Sequence, residues 1–289
     1  MITLSNNILQ IEVALKGAEL QSIYNKPLQL EYLWSGDPAY WAKKSPVLFP
    51  IVGGLKNGKY TYQGKEYAMG RHGFARDMEF SLVSETENSI TLSLVSNEQT
   101  LRLYPFEFIF SITYTLTDNL LEINYTVQNT GGSQMFFSVG AHPAFKIPID
   151  EGTHYDEYFL LFNRQETAGR YPLSADGLTE IIPETFFTGT NTLLLRKELF
   201  EKDALVFKEL ESTEISIAGN RSTHGIKVKF DGFPFMGIWA AKDADFICIE
   251  PWDGIADRVD ASGELENKEG ILSLAAADVY NKAFTITTY

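Results

Sequence analysis

The chain has 289 residues, 44% hydrophobic and 21% charged, with a formal net charge of −14. That is enough apolar material for a substantial core, on an acidic surface that argues against nucleic acid and membrane surfaces as partners and leaves neutral small molecules open. One cysteine, Cys248, excludes an internal disulfide and disfavours a cysteine-based metal site; with no apolar run near the roughly 20 residues of a membrane helix and no leader-like start in MITLSNN, a cytoplasmic protein is expected.

In chain order, residues 59–69 read as a hairpin, with KYTY and KEYAM on either side of Gln63-Gly64. After MGRHGFARDMEF (69–80) a strand-like run is expected from Glu79, and another at 90–95. Residues 106–116 alternate cleanly: Phe106, Phe108, Phe110, Ile112, Tyr114 and Leu116 fall on one face. Beyond the Asp118-Asn119 turn the alternation resumes with Leu121, Ile123, Tyr125 and Val127, which predicts two long antiparallel strands. Gly131-Gly132 and Gly219-Asn220 mark turns, and residues 215–218 read as a strand. Residues 150–191, with Pro172, Pro183 and several glycines, look like a long surface excursion. Helical signals are few: RKELFEKD (196–203) suits about two turns, and LAAADVY (274–280) is ambiguous. No helix–strand alternation, repeat or linker divides the chain. The expectation is a single all-β domain over residues 1–289, a large two-layer antiparallel β-sandwich.

Three polar groups break the apolar patterns beside Pro or Gly. His72 lies in RHGFAR, His142 in SVGAHPAFKIP, and Glu250 in DFICIEPWDG after the apolar run 246–249. Strand ends hold side chains firmly at the edge of a cleft, where acid–base chemistry is built. Each also has an ordinary explanation, as turn histidines held by backbone carbonyls or a solvated strand-end glutamate. His154 and His224 sit in polar loops and receive no role. No HExxH or close histidine pair is present, so no metal is expected.

The set GAEL (17–20), LWSGDPAYW (33–41), PVLFPIVGGL (46–55), HGFAR (72–76), HPAF (142–145) and CIEPWDG (248–254), in that order, resembles the aldose 1-epimerase, or galactose mutarotase-like, family, and its LacX-like branch in particular. The resemblance implies a sugar bound in an open cleft across a concave sheet, and interconversion of the α and β anomers of a free aldohexose without cofactor or metal. By position it implies Glu250 as general base, His142 as general acid and His72 as a hydrogen-bonding partner near the ring oxygen. Asp203 in KDALVF is the match, on the loosest segment, to a sugar-holding aspartate. Mutarotation is expected to need one base and one acid on opposite sides of the C1–O5 bond, and these residue types suit it. Trp252 either lays a flat face on the sugar or fills the core.

Gly73 is expected to allow close backbone approach at the site, and Phe74 to anchor the turn. If the segment is extended, His72 and Arg76 share a face, so Arg76 is expected at the cleft and Arg71 as a solvated charge on the other side. Two departures from the resemblance bear on the substrate. VGGLKNG (52–58) offers Lys56 where the galactose branch carries an Asn-Arg pair. Ala42, beside Lys43 and Lys44, stands where the hexose-6-phosphate branch has a further arginine. A free aldose is therefore favoured, with a hexose-6-phosphate 1-epimerase and a non-catalytic carbohydrate-binding protein as alternatives. A glycoside hydrolase or lyase pairing Glu250 with Asp253 or Asp203 would leave the histidines unexplained. The oligomeric state is open.

Overall fold

A computed structural model describes residues 1–289. Every pairing between its strands is antiparallel. The largest sheet has nine strands, in the spatial order Thr190–Leu194, Tyr158–Glu166, Glu214–Gly219, Ile226–Lys229, Val279–Thr288, Leu120–Asn129, Phe108–Thr117, Ser89–Val95 and Ser81–Glu85. Its centre is the long hairpin that alternation predicts. Leu120 lies opposite Thr117 and Asn129 opposite Phe108, with Asp118 in the left-handed region (φ 51°) at the turn. Phe108, Phe110, Ile112, Tyr114 and Leu116 are buried, as are Leu121, Ile123, Tyr125 and Val127.

The sheet that matters for function has Val139–Gly140, Phe246–Asp253, Phe235–Trp239 and Leu205–Lys208 side by side, with Ala144–Lys146 also on Phe246–Asp253. A four-stranded N-terminal sheet runs from Ile2–Ser5 to Leu30–Glu31. The sheets share a contiguous apolar core of 71 buried residues. Phe49 sits within it against Phe108, Phe110 and Phe137. Full burial of one such ring contributes about 1.5–3 kcal/mol, and this packing fixes the segment that leads into the site.

The hairpin at 59–69 forms from Lys59–Tyr62 and Lys65–Ala68, with Gln63 and Gly64 both at positive φ, as a two-residue turn requires. Other expectations are corrected. Residues 150–191 are a surface excursion only in part: Tyr158–Glu166 is an interior strand of the nine-stranded sheet, with Tyr158, Leu160 and Phe162 buried, whereas residues 181–185 lie exposed. Its alternation is masked because the outward Phe159 and Leu161 are apolar too. Residues 196–203 make a single 3₁₀ turn, Lys197–Phe200, rather than two helical turns. LAAADVY is no helix; it spans the end of Leu272–Leu274, a turn with Ala277 at φ 67°, and the start of Val279–Thr288. The strand expected from Glu79 starts at Ser81 and lies exposed at a sheet edge. The one α-helix, Glu98–Leu103, carries an Asn97–Thr100 capping box.

Candidate active site

Phe246–Asp253 runs through the middle of its sheet with all of its residues buried, and Glu250 lies opposite Gly237. Glu250 is therefore inside a strand, not at its end. The period of two places Cys248, Glu250 and Trp252 on one face. Gly237 makes room for the Trp252 indole: a Cβ there would come within 2.4 Å of the ring. Asp253 points the other way and accepts a hydrogen bond from Tyr280 Oη at 2.6 Å, with Lys282 3.3 Å away. A carboxylate pair of Glu250 with Asp253 is thus not formed.

His142 occupies the break between Val139–Gly140 and Ala144–Lys146. Its ring stacks on Trp41 at 4.9 Å and meets Trp239 and His72 edge-on at 5.7 and 5.8 Å. Its Nε2 is 3.3 Å from Glu250 Oε2. Glu250 Oε2 and His142 Nδ1 are buried without a hydrogen-bond partner. Leaving a buried polar atom unpaired costs about 1–3 kcal/mol, a cost the rest of the fold must offset. Burial holds the Glu250 carboxyl well above the usual carboxylate range; the Trp252 indole N–H opposes this, but it makes no hydrogen bond of good geometry and has the smaller effect. Burial likewise pushes the His142 imidazole down to about 3, with Arg76 and Arg71 adding to the effect. Both directions have one cause: a dry site penalises carboxylate and imidazolium alike.

His72 sits in a tight turn, not at a strand mouth, with φ 67° at His72 and 71° at Gly73. The turn is clamped from both sides. His72 N–H donates to Gly53 O at 2.8 Å, and Gly53 N–H donates to His72 Nδ1 at 3.1 Å. With Nδ1 accepting, the proton of the neutral ring lies on Nε2, which leaves an N–H donor for the cavity. Burial, and then His142 and the two arginines, hold this ring neutral. Gly73 does permit a close approach, but to the Phe49 carbonyl: a Cβ would lie 2.2 Å from that oxygen. Phe74 is buried and its N–H donates to the same carbonyl at 3.0 Å, which anchors the turn.

The turn also overturns the expectation for Arg71. Alternate facing requires extended backbone, whereas residues 72–77 curl through two left-handed residues into the 3₁₀ turn Ala75–Asp77. Arg71 and Arg76 consequently line the same cavity. Arg71 Nη1 stands 3.8 Å from Asp203 Oδ2, and its guanidinium lies across Gly177. Arg76 Nη2 donates to Arg71 O at 3.2 Å, while its buried Nε makes no hydrogen bond and stands 3.8 Å from Asp77 Oδ2. Asp203, at φ 74° just before Leu205–Lys208, accepts Ala204 N–H at 2.8 Å.

His72, Arg76, His142, Asp203 and Glu250 all line one cavity of about 530 Å³, large enough for a monosaccharide. Sequence reasoning missed Arg71, the walls formed by Trp41 and Trp239, and the arm carrying Leu173, Gly177 and Thr179. Trp41 ends LWSGDPAYW, where nothing in the local pattern marks it as a cavity wall, and the arm carries only turn signals. His142, Cys248 and Glu250 also bring a ring nitrogen, a thiol and a carboxylate within 4.8 Å of one another. Sequence spacing hides this because the ladder, not the chain, places Ala144 opposite Cys248.

The model of the family described as aldose 1-epimerase matches residues 1–273. The plasmid-encoded protein LacX of Lactococcus lactis subsp. lactis is 34% identical over 296 residues, covering 99% of this chain and 98% of its own. A galactose mutarotase related enzyme from Lactobacillus acidophilus superposes with a TM-score of 0.95 at 36% identity, covering 100% of this chain and 97% of that one. A galactose mutarotase-like protein from Lactobacillus casei ATCC 334 gives 0.92 at 30% identity, with 100% of each chain covered.

Proposed function

The chain belongs to the aldose 1-epimerase family, and we propose that it is a mutarotase interconverting the α and β anomers of a free aldohexose. The observation that carries this reading is the contact of 3.3 Å between His142 Nε2 and Glu250 Oε2 in the wall of a sugar-sized cavity. The two groups stand in contact rather than on the expected opposite sides of the C1–O5 bond; because O1 and O5 are bonded to the same carbon, an acid and a base in contact can serve both. Ionised Glu250 removes the O1 proton while protonated His142 delivers one to O5. The C1–O5 bond breaks, C1–C2 rotates, and the reverse transfers close the ring on the other carbonyl face. The pair holds one proton throughout: on His142 with the cyclic sugar, on Glu250 with the open chain. Burial alone favours the uncharged pair. Hydrogen bonds from O1–H to the carboxylate and from imidazolium to O5 favour the charged one, bringing the two states close in energy. His72 Nε2–H suits a sugar oxygen, Trp252 an apolar C–H face, and Asp203 with the arginines the remaining hydroxyls. Polarimetry of a freshly dissolved pure anomer tests the reading. Accelerated approach to the equilibrium rotation supports it; tight sugar binding with no acceleration would leave a carbohydrate-binding protein.

A one-proton pair predicts a bell-shaped pH dependence. The acid limb falls as His142 takes a second proton, toward pH about 3, since its folded value is depressed. The alkaline limb falls as Glu250 loses the last proton, above the ordinary carboxylate range, since its folded value is raised. The apparent values belong to the pair. Rates are to be measured over the range in which circular dichroism is unchanged; a flat profile there would remove the pair from the mechanism.

A hexose 6-phosphate is the second reading, favoured by one observation: both arginines line the cavity. Against it stand Asp203 beside Arg71 and the net charge of −14. Kinetics of Arg71→Ala and Arg76→Ala on glucose, galactose and glucose 6-phosphate decide. With a free sugar, each substitution raises KM by the equivalent of roughly 0.5–1.5 kcal/mol. With a phosphate, wild type prefers the phosphorylated sugar and the losses on it reach roughly 1.5–3 kcal/mol.

A further inference from the structure

We propose that His142, Cys248 and Glu250 form a binding site for a thiol-seeking divalent cation, Zn²⁺ above all, whose occupancy switches the acid–base pair off. The three side chains converge although Cys248 and Glu250 come from one strand and His142 from the break before Ala144–Lys146. Cys248 and Glu250 share a face of Phe246–Asp253, and His142 stands two residues before Ala144, the cross-strand partner of Cys248. One ligand atom from each lies within 4.8 Å of the others. Tetrahedral zinc, with bonds of about 2.0–2.3 Å, spaces its ligands about 3.3–3.8 Å apart, so side-chain shifts of roughly an ångström close the site.

Two further observations point to a ligand. Glu250 Oε2, the oxygen that faces His142 Nε2, has no hydrogen-bond partner of good geometry although its residue is only 1% exposed. The charges also balance: a thiolate, a carboxylate and a neutral imidazole cancel a divalent ion, which suits an apolar setting better than any one of these charges alone. Three protein ligands leave a fourth position toward the cavity that Glu250 and His142 line, open to water or a sugar hydroxyl. The mixed sulfur, nitrogen and oxygen set selects zinc over magnesium or calcium, which prefer oxygen alone.

The consequence follows from the same atoms. While the carboxylate and the imidazole are bonded to zinc, neither carries a proton to or from O1 and O5. Only this consequence rests on the mutarotase reading; binding itself does not, so the two fail separately.

The test begins with chelator-treated protein titrated with zinc chloride by calorimetry, and with cobalt(II) as a spectroscopic stand-in. One-to-one binding and a thiolate-to-cobalt charge-transfer band are expected. Chelated protein should be fully active and zinc should inhibit it. Cys248→Ala should weaken zinc binding, and shift the inhibitory concentration, by more than about 100-fold, since loss of mere supporting contacts already costs 10–100-fold. Cys248→Ser serves as a second variant if the first misfolds, and the cobalt spectrum of the wild type needs neither. Absence of the charge-transfer band, unchanged zinc affinity in a folded Cys248 variant, or activity lost on chelation and restored by zinc would each overturn the proposal.

Discussion

Glu250→Gln is expected to lower kcat for anomer interconversion about 10²–10⁴-fold, the range for losing a general base, while the protein stays folded. The rate loss follows from what the amide lacks. It keeps the shape of the carboxyl and can still hydrogen-bond to O1–H, but it cannot accept the proton. KM should therefore change far less than kcat, the pattern of an interaction needed only in the transition state. The fold survives because Glu250 lies in the middle of a buried strand, only 1% exposed, where burial already favours its uncharged form. Glutamine is the nearest neutral copy of that form. Stability supplies an independent check. A carboxyl whose folded pKa is raised contributes stability that is complete below its unfolded value near 4.5 and lost as pH rises toward the folded value. Glutamine has no such loss. The Tm of the variant relative to wild type should therefore climb as pH rises above 4.5. A folded variant with the wild-type rate would exclude Glu250 as the base. A Tm difference independent of pH would show that the carboxyl does not titrate as its burial requires.

The parts of this site that were legible in the sequence share a physical property: they depend on period, or on residue types clustered along the chain. The hairpin of Phe108–Thr117 with Leu120–Asn129 was visible because one face is apolar and the other polar. The arms of Tyr158–Glu166 were not, because apolar residues occupy both faces. His72, His142 and Glu250 stood out beside Pro and Gly, and through the resemblance of their motifs to a family. Pro251 suggests a strand stop after Glu250, yet the strand Phe246–Asp253 runs on through both. Pro251 has no N–H to offer, but the ladder uses its carbonyl, which accepts Ala141 N–H at 3.0 Å.

Arg71 shows a different limit. The rule that residues four apart share a face holds only for regular backbone, and His72 at φ 67° breaks it. A non-glycine residue in that region is uncommon. Its cause is the clamp to Gly53 and the Phe49 carbonyl, contacts that are remote in sequence. The same holds for the arm at Leu173 and Thr179, which joins the cavity wall because Thr179 N–H donates to Asp257 O. Closure between distant segments leaves no periodic trace.

Removing the other member of the pair should produce a loss of the same order, and the combination should not be additive. His142→Asn is expected to lower kcat about 10²–10⁴-fold, because ring opening then has no acid at O5. Asparagine can still donate a hydrogen bond, so sugar binding should persist. The informative measurement is the full cycle: wild type, Glu250→Gln, His142→Asn and the double variant, at one pH, with the uncatalysed rate subtracted. If the two groups pass one proton between them, either single change already disables the transfer in both directions. The double variant should then lie within a few-fold of the slower single variant, as happens when catalytic groups act as a unit. Multiplication of the two losses would mean that Glu250 and His142 act in independent steps. That outcome would contradict the one-proton mechanism even if each residue proved essential, because the contact of 3.3 Å between them would then be incidental to the chemistry.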